Sequence, residues 1–199
     1  MALWAIVPVK PLRRGKSRLA GVLSEDERAA LNQRLLLQTV DVLSRVPDVK
    51  NILVISRDPE ALALAREQGA RTLQEDGAPH LNVALQRATV VAKTYMATSI
   101  LIVPADLPQI TTTDIQALID AASEPGVAVI APDHRREGTN ALLLNPVGDF
   151  PYDFGPDSFA RHSRLAQEAG LQVKVLELES LAHDVDVPED LSFLGELDY

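Results

Sequence analysis

The chain has 199 residues, 19 Lys and Arg against 28 Asp and Glu, and a formal charge of −9 at pH 7; 46% of it is hydrophobic and 4% aromatic. A chain of this length buries about two thirds of the surface its unfolded form exposes, so the composition predicts one domain over residues 1–199 and excludes a disordered chain. The acidity argues against nucleic acid and anionic membrane as partners, and the lack of cysteine removes disulfides, thiolate metal sites and cysteine nucleophiles.

No apolar run reaches the roughly 18 residues of a membrane span. The run Ala2–Val9 is too short for a secretory signal and precedes its basic residues instead of following them. A soluble, cytoplasmic protein is expected. The charge is unevenly placed, because Lys10, Arg13, Arg14, Lys16 and Arg18 put five cations and no acid into the first 19 residues. A basic segment on an acidic body points to a small anionic ligand.

In chain order, the apolar run Leu3–Val9 reads as a buried strand entering a loop. Ser24 followed by Glu27 is a capping box, and Leu31, Leu35, Val42 and Val46 continue at helical spacing to Pro47, which predicts a helix of about six turns. A strand follows at Asn51–Ser56, then a helix opened by Asp58-Pro59 and stopped at Gly69, and a short strand at Ala70–Leu73. Next come a helix over Leu81–Met96, a central parallel strand at Ser99–Val103, a helix over Thr111–Ala122, and strands at Val127–Pro132 and Asn140–Leu144. Strands alternating with helices predict a layered α/β sheet with parallel strands and right-handed crossovers. The rhythm then changes: Asn145–Asp157 is a long connection, followed by a helix from Asp157-Ser158, a strand at Leu171–Leu178 and a short terminal helix from Pro188.

Ligands of such sheets lie beyond the carboxyl ends of the strands, so the loops there are the places to search. The loop Pro8–Leu19 offers Lys10, Lys16 and Arg18 to a triphosphate, although the same cations could form a solvated surface. It is not a Walker A loop, because only Gly15 is present. Asp106, in Val103–Pro108 after the most apolar strand, could hold a nucleotide-bound magnesium, which takes one or two carboxylates plus phosphate oxygens; it could equally cap the turn. Asp184 and Asp186 lie on one face of an extended segment and could complete that metal site or cap the terminal helix. Gly138-Thr139-Asn140 and Phe154–Phe159 could bind phosphate or carboxylate, or be ordinary turn and cap chemistry.

Together these segments resemble the 2-phospho-L-lactate guanylyltransferase family of coenzyme F420 biosynthesis, within the nucleotidyltransferase fold shared with molybdenum-cofactor guanylyltransferase. The residues that carry the resemblance are Pro8-Val9-Lys10, Lys16–Leu19, Leu81-Asn82, Asp106-Leu107-Pro108, Gly138-Thr139-Asn140, Phe154-Gly155 with Ser158-Phe159 and His162, and Asp184-Val185-Asp186 with Pro188-Glu189-Asp190. The resemblance implies a three-layer α/β/α nucleotidyltransferase fold with a mostly parallel central sheet. It implies transfer of GMP from GTP to the phosphate of phosphoenolpyruvate or 2-phospho-L-lactate, with pyrophosphate released.

By the same resemblance Pro8, Val9, Lys10, Lys16, Arg18, Asn82 and Asp106 serve the nucleotide, with Lys10, Lys16, Arg18 and Asp106 catalytic. Thr139, Gly155 and Ser158 contact the acceptor, and Asp106 with Asp184 or Asp186 holds Mg²⁺. The first loop departs from the Gly-rich loop of sugar-nucleotide transferases of this fold, which shifts the burden from backbone amides to cations. The partners are then small molecules, and a homodimer is compatible with all of this. Two other readings compete: a transferase of the same fold acting on 3-phosphoglycerate, molybdopterin or a phospho-sugar, and a non-catalytic nucleotide-binding protein.

Overall fold

The computed structural model describes residues 2–77 and 80–194. Seven strands form one sheet: β1 (Leu3–Val9), β2 (Val49–Ser56), β3 (Arg71–Gln74), β4 (Ser99–Ile102), β5 (Val127–Pro132), β6 (Thr139–Asn145) and β7 (Gln172–Val175), in spatial order β3-β2-β1-β4-β6-β5-β7. The helices are α1 (Glu25–Ser44), α2 (Pro59–Glu67), α3 (Leu81–Thr94), α4 (Thr112–Ala121), α5 (Ser158–Glu168) and α6 (Glu179–Ala182), with 3-10 turns at Ser17–Gly21 and Pro188–Leu194.

Helix starts follow local chemistry. Ser24 accepts the Glu27 amide at 3.3 Å while the Glu27 carboxylate accepts the Ser24 amide at 2.7 Å, and Thr111 and Asp114 make the same reciprocal cap on α4. Asp58 caps α2 with Pro59 in its first turn.

The period of two along each strand sorts side chains onto two faces. Leu3, Ala5 and Val7 of β1, with Val129 of β5 and Leu143 of β6, meet Leu36 and Val40 of α1, Leu62 of α2, Leu118 of α4 and Leu181 of α6. Trp4, Ile6, Ile130, Leu142 and Leu144 meet Leu85 and Ala88 of α3 and Ala166 of α5 on the opposite face. The result is the expected three-layer α/β/α arrangement. Each fully buried Leu or Ile contributes about 1.5–3 kcal/mol relative to an exposed one.

The sheet is parallel except at β6, which runs antiparallel to both β4 and β5. The expected alternation of parallel strands fails there because β5 and β6 are joined by the tight turn Asp133–Gly138, closed by Asp133 N–H to Gly138 O at 3.2 Å; that is too short for a crossover. β7 stops at Val175 instead of Leu178, and the segment beyond it forms α6, which the sequence pattern did not suggest. Among the described residues no helix is long and apolar enough to cross a membrane.

The chain moves outward from β1 to β2 and β3, then returns to place β4 on the other side of β1. The crevice of a parallel sheet opens where the order reverses, beyond the carboxyl ends of β1 and β4.

Candidate active site

At that reversal lies a cleft of about 390 Å³ lined by Pro8, Val9, Lys10, Pro11, Gly15 and Lys16 from the first loop, Pro104, Ala105 and Asp106 from the loop after β4, and Asp186 from the C-terminal segment. Toward β2, β3 and the start of α3 it is lined by Ile55, Arg57, Glu75, His80, Leu81 and Ala84.

The first loop is folded by its own backbone. Arg14 and Gly15 both donate to Pro11 O, Leu12 N–H donates to Asp58 Oδ2 at 2.8 Å, and Asn32 Nδ2 donates to Leu12 O at 2.7 Å. A Cβ at Gly15 would sit 2.7 Å from Asn32 Nδ2, so glycine lets the loop close onto α1. Lys16 follows in the left-handed region at φ 55° and is only 9% exposed. Its ammonium donates to Val185 O at 2.6 Å. Burial pushes its pKa down, opposed by the charges of Asp106, Asp186 and Asp184.

Asp106 follows β4, held in place by the buried side chain of Leu107. Its backbone O accepts Val185 N–H at 3.0 Å, while its buried Oδ1 has no hydrogen-bond partner. Burial pushes the Asp106 carboxyl pKa up, against the pull of Lys16 and Lys10. Burial, with Asp106 adding to it, pushes Asp184 up to about 6. The terminal turn is capped by Asp190, whose Oδ2 accepts both Asp186 N–H and Val187 N–H at 2.8 Å, so Asp184 and Asp186 are free of that task. Val185 between them is buried with Leu19, Leu31, Leu35 and Leu194, which fixes the acids beside the first loop.

Two of the residues expected to serve the nucleotide are not among those that line the cleft. Arg18 does not line the cleft: its guanidinium is largely exposed and pairs with Asp186 at 2.5 Å. Arg13 likewise turns away, onto Asp26 at 2.7 Å, so of the five early cations only Lys10 and Lys16 line the cleft. Asn82 is not in the cleft either. Its amide donates to Phe154 O at 3.2 Å and accepts Phe154 N–H at 2.8 Å, which occupies both ends of the side chain and clamps the turn before Gly155.

That turn belongs to a second cluster. Thr139 opens β6, Ser158 opens α5, and Ser158 Oγ donates to Thr139 Oγ1 at 3.3 Å. Ser158 N–H donates to Gly155 O at 3.1 Å, and Gly155 has φ 136°, a conformation that favours glycine. His162, fully buried, meets Thr139 Oγ1 through Nδ1 at 2.9 Å and Asp153 N–H through Nε2 at 3.1 Å. The two clusters adjoin through the first turn of α3, where Leu81 faces the cleft and Asn82 holds Phe154.

Sequence reasoning missed Asn32, Arg57, Glu75 and His80. Arg57 and Glu75 directly follow the ends of β2 and β3, so the rule that pointed to Lys10 and Asp106 also reaches them.

A family model described as "Guanylyl transferase CofC like" matches residues 3–197. The chain is 44% identical to a phosphoenolpyruvate guanylyltransferase of Rubrobacter xylanophilus over 98% of this chain and 94% of that protein. It is 37% identical to a 2-phospho-L-lactate guanylyltransferase of Methanothermobacter thermautotrophicus over 96% of this chain and 83% of that protein. Among solved structures, a nucleotidyl transferase of Methanothermobacter thermautotrophicus superposes with a TM-score of 0.68 at 16% identity, covering 96% of this chain and 94% of that one. A 4-diphosphocytidyl-2C-methyl-D-erythritol synthase of Anaerococcus prevotii superposes with a TM-score of 0.61 at 14% identity, covering 97% and 94%. At these identities the structural likeness speaks to the fold.

Proposed function

The chain belongs to the guanylyl transferase CofC like family, and on that premise we propose that it transfers GMP from GTP to the phosphate of phosphoenolpyruvate or 2-phospho-L-lactate, releasing pyrophosphate, in coenzyme F420 biosynthesis. Phosphoenolpyruvate is the first acceptor to try, because the relative named for it is 44% identical against 37% for the one named for phospholactate. The observation that carries the proposal is the buried, unpartnered Oδ1 of Asp106 beside Lys10 and Lys16, in a cleft at the reversal point of the sheet.

In the proposed reaction a phosphate oxygen of the phospho-acid attacks the α-phosphorus of GTP, and the bond from that phosphorus to the oxygen bridging to the β-phosphate breaks. The electron pair leaves with pyrophosphate. The acceptor phosphate is already ionised near neutral pH, so no strong base is required, and the protein's work is to hold two anions in line and offset their charge. Lys10 and Lys16 face the triphosphate, with Pro8, Val9 and the rest of the first loop forming the wall of its cleft. Thr139, Ser158 and the turn at Gly155 hold the acceptor.

Mg²⁺ fits the acids present. Among the described residues no group of three or more His, Cys, Asp or Glu could hold a metal ion, but magnesium needs only one or two carboxylates when phosphates supply other oxygens. Asp106 has a free buried oxygen, and Asp184 and Asp186 flank Val185, whose N–H donates to Asp106 O; Asp106 with one of these two acids would hold the ion, Asp186 also pairing with Arg18. The ion would supply charge neutralisation at the reacting phosphates. The enzyme works in the cytoplasm on small molecules, as a monomer or homodimer.

The test is pyrophosphate release from GTP and Mg²⁺ with each phospho-acid. Turnover that requires the acid supports the proposal, and no turnover with either acid overturns it.

A further inference from the structure

The second cluster contains a buried histidine that the proposed chemistry does not use. Asp153 N–H is a backbone donor and can only donate, so His162 Nε2, 3.1 Å away, accepts and carries no proton. The proton of a neutral imidazole then lies on Nδ1, which faces Thr139 Oγ1 at 2.9 Å and donates to it. Ser158 Oγ donates to the same oxygen at 3.3 Å. A hydroxyl has two lone pairs and one proton. Both lone pairs of Thr139 are therefore filled from inside the protein, and only its proton is uncommitted.

We infer that His162 is a positioning residue for the acceptor: its Nδ1–H, with the Ser158 hydroxyl, leaves the Thr139 hydroxyl able to act on a bound phospho-acid only as a hydrogen-bond donor. The inference rests on the proposed placement of the phospho-acid at the Thr139–Ser158 cluster, where Ser158, whose hydroxyl and N–H already donate to Thr139 Oγ1 and Gly155 O, orients Thr139 and leaves the donating to it. A phosphate or carboxylate oxygen is acceptor-only when ionised, so a hydroxyl restricted to donating is matched to an anion.

The surroundings hold the imidazole in this state. His162 is fully buried, with the Phe154 ring edge-on at 4.5 Å, and Phe150 also packs near it. Burial pushes its pKa down to about 4, while the charges of Asp153, which raises it, and Arg161, which lowers it, oppose each other. Arg161 forms an ion pair with Asp153, Nε to Oδ2 at 2.9 Å, and donates from Nη2 to Asp153 O at 3.1 Å, which restrains the residue whose N–H His162 Nε2 accepts. The residue thus acts through Thr139 and not on the substrate itself.

Two substitutions separate this role from simple packing. His162→Asn can present an N–H near the place of Nδ1, whereas His162→Gln reaches toward the place of Nε2 and loses the donor to Thr139. His162→Gln is expected to raise KM for phosphoenolpyruvate about 10-fold, His162→Asn about threefold, and both to leave KM for GTP within about twofold, as loss of one hydrogen bond to a committed hydroxyl requires. Equal effects of a variant on the two KM values, or an unchanged acceptor KM in both, overturn the inference.

Because the side chain is buried and a variant can fail to fold, nitrogen-15 NMR of the histidine ring in the unaltered, ligand-free protein provides an independent test. A neutral ring protonated on Nδ1 at pH 7 is expected, and a ring protonated on Nε2 or on both nitrogens overturns the inference. Failure of the proposed function is distinguishable, since the unaltered enzyme would then transfer GMP to neither acid whatever the tautomer.

Discussion

Replacing Asp106 by Asn is the most direct perturbation of the site. It conserves shape and removes one negative charge from a position where Lys10 and Lys16 converge and where one carboxylate oxygen is buried without a partner. Burial already disfavours the charged form of Asp106, so the neutral amide should not weaken the fold. The structure therefore predicts a large loss of activity with little change in stability. Loss of a group that neutralises charge at a reacting phosphate costs about 3–4 kcal/mol of transition-state stabilisation, a fall in turnover of about 10²–10³-fold.

Folding stability should stay within about 1 kcal/mol of the parent or rise, which for a chain of this size is a midpoint no more than about 2–4 °C lower. Pyrophosphate release under saturating GTP, Mg²⁺ and phosphoenolpyruvate measures the first quantity and calorimetry the second. Turnover within about tenfold of the parent refutes the role given to Asp106. A midpoint that drops by about 10 °C or more, on the order of several kcal/mol, refutes the argument that its charge is held against a stability cost.

Lys16→Met removes the buried ammonium that donates to Val185 O; kcat/KM for GTP should fall about 10²-fold or more while KM for the phospho-acid changes less than about threefold, read from initial rates with each substrate varied in turn. The acid limb of stability follows from two groups of opposite sign. The folded value of His162 is depressed from 6.5 to about 4, so the unfolded chain takes up that proton first, and stability present above pH 6.5 is lost, by about 3 kcal/mol, as the pH falls to about 4. Asp184 is raised from 3.8 to about 6, so the native state takes up its proton first and acidification through pH 6 partly offsets that loss. Asp184→Asn should therefore show a steeper decline in denaturation midpoint between about pH 6 and 4 than the parent, and a shallower one contradicts the assignment. Ser24→Ala removes one half of the α1 capping box and should cost about 1 kcal/mol in urea unfolding without affecting either KM.

Much of the framework was legible because local chemistry decided it. The capping box at Ser24, the Asp58-Pro59 start and the alternating apolar strands each act through residues a few positions apart, and the observed ends of β1, α2 and β5 follow from them. What was not legible was an interaction with no local signature. Nothing about Arg18 distinguishes it from Lys16 two residues earlier, yet the left-handed turn at Lys16 sends one ammonium inward to Val185 and leaves the guanidinium outside on Asp186. Asn82 likewise gives no local sign that Phe154, 72 positions away, takes both ends of its amide.

A layered α/β sheet, the loops in which chemistry could lie and the concentration of cations before residue 19 were all readable along the chain, because periodicity, capping and charge count are properties of sequence neighbours. Folding in three dimensions settled the rest: that two of those five cations enter the cleft, that Asp190 caps the terminal turn and so frees Asp184 and Asp186, and that His162 Nδ1 meets Thr139 Oγ1. Each of those outcomes depends on which donor reaches which acceptor across a sheet, and hydrogen-bond reach is a distance in space that spacing along the chain does not encode.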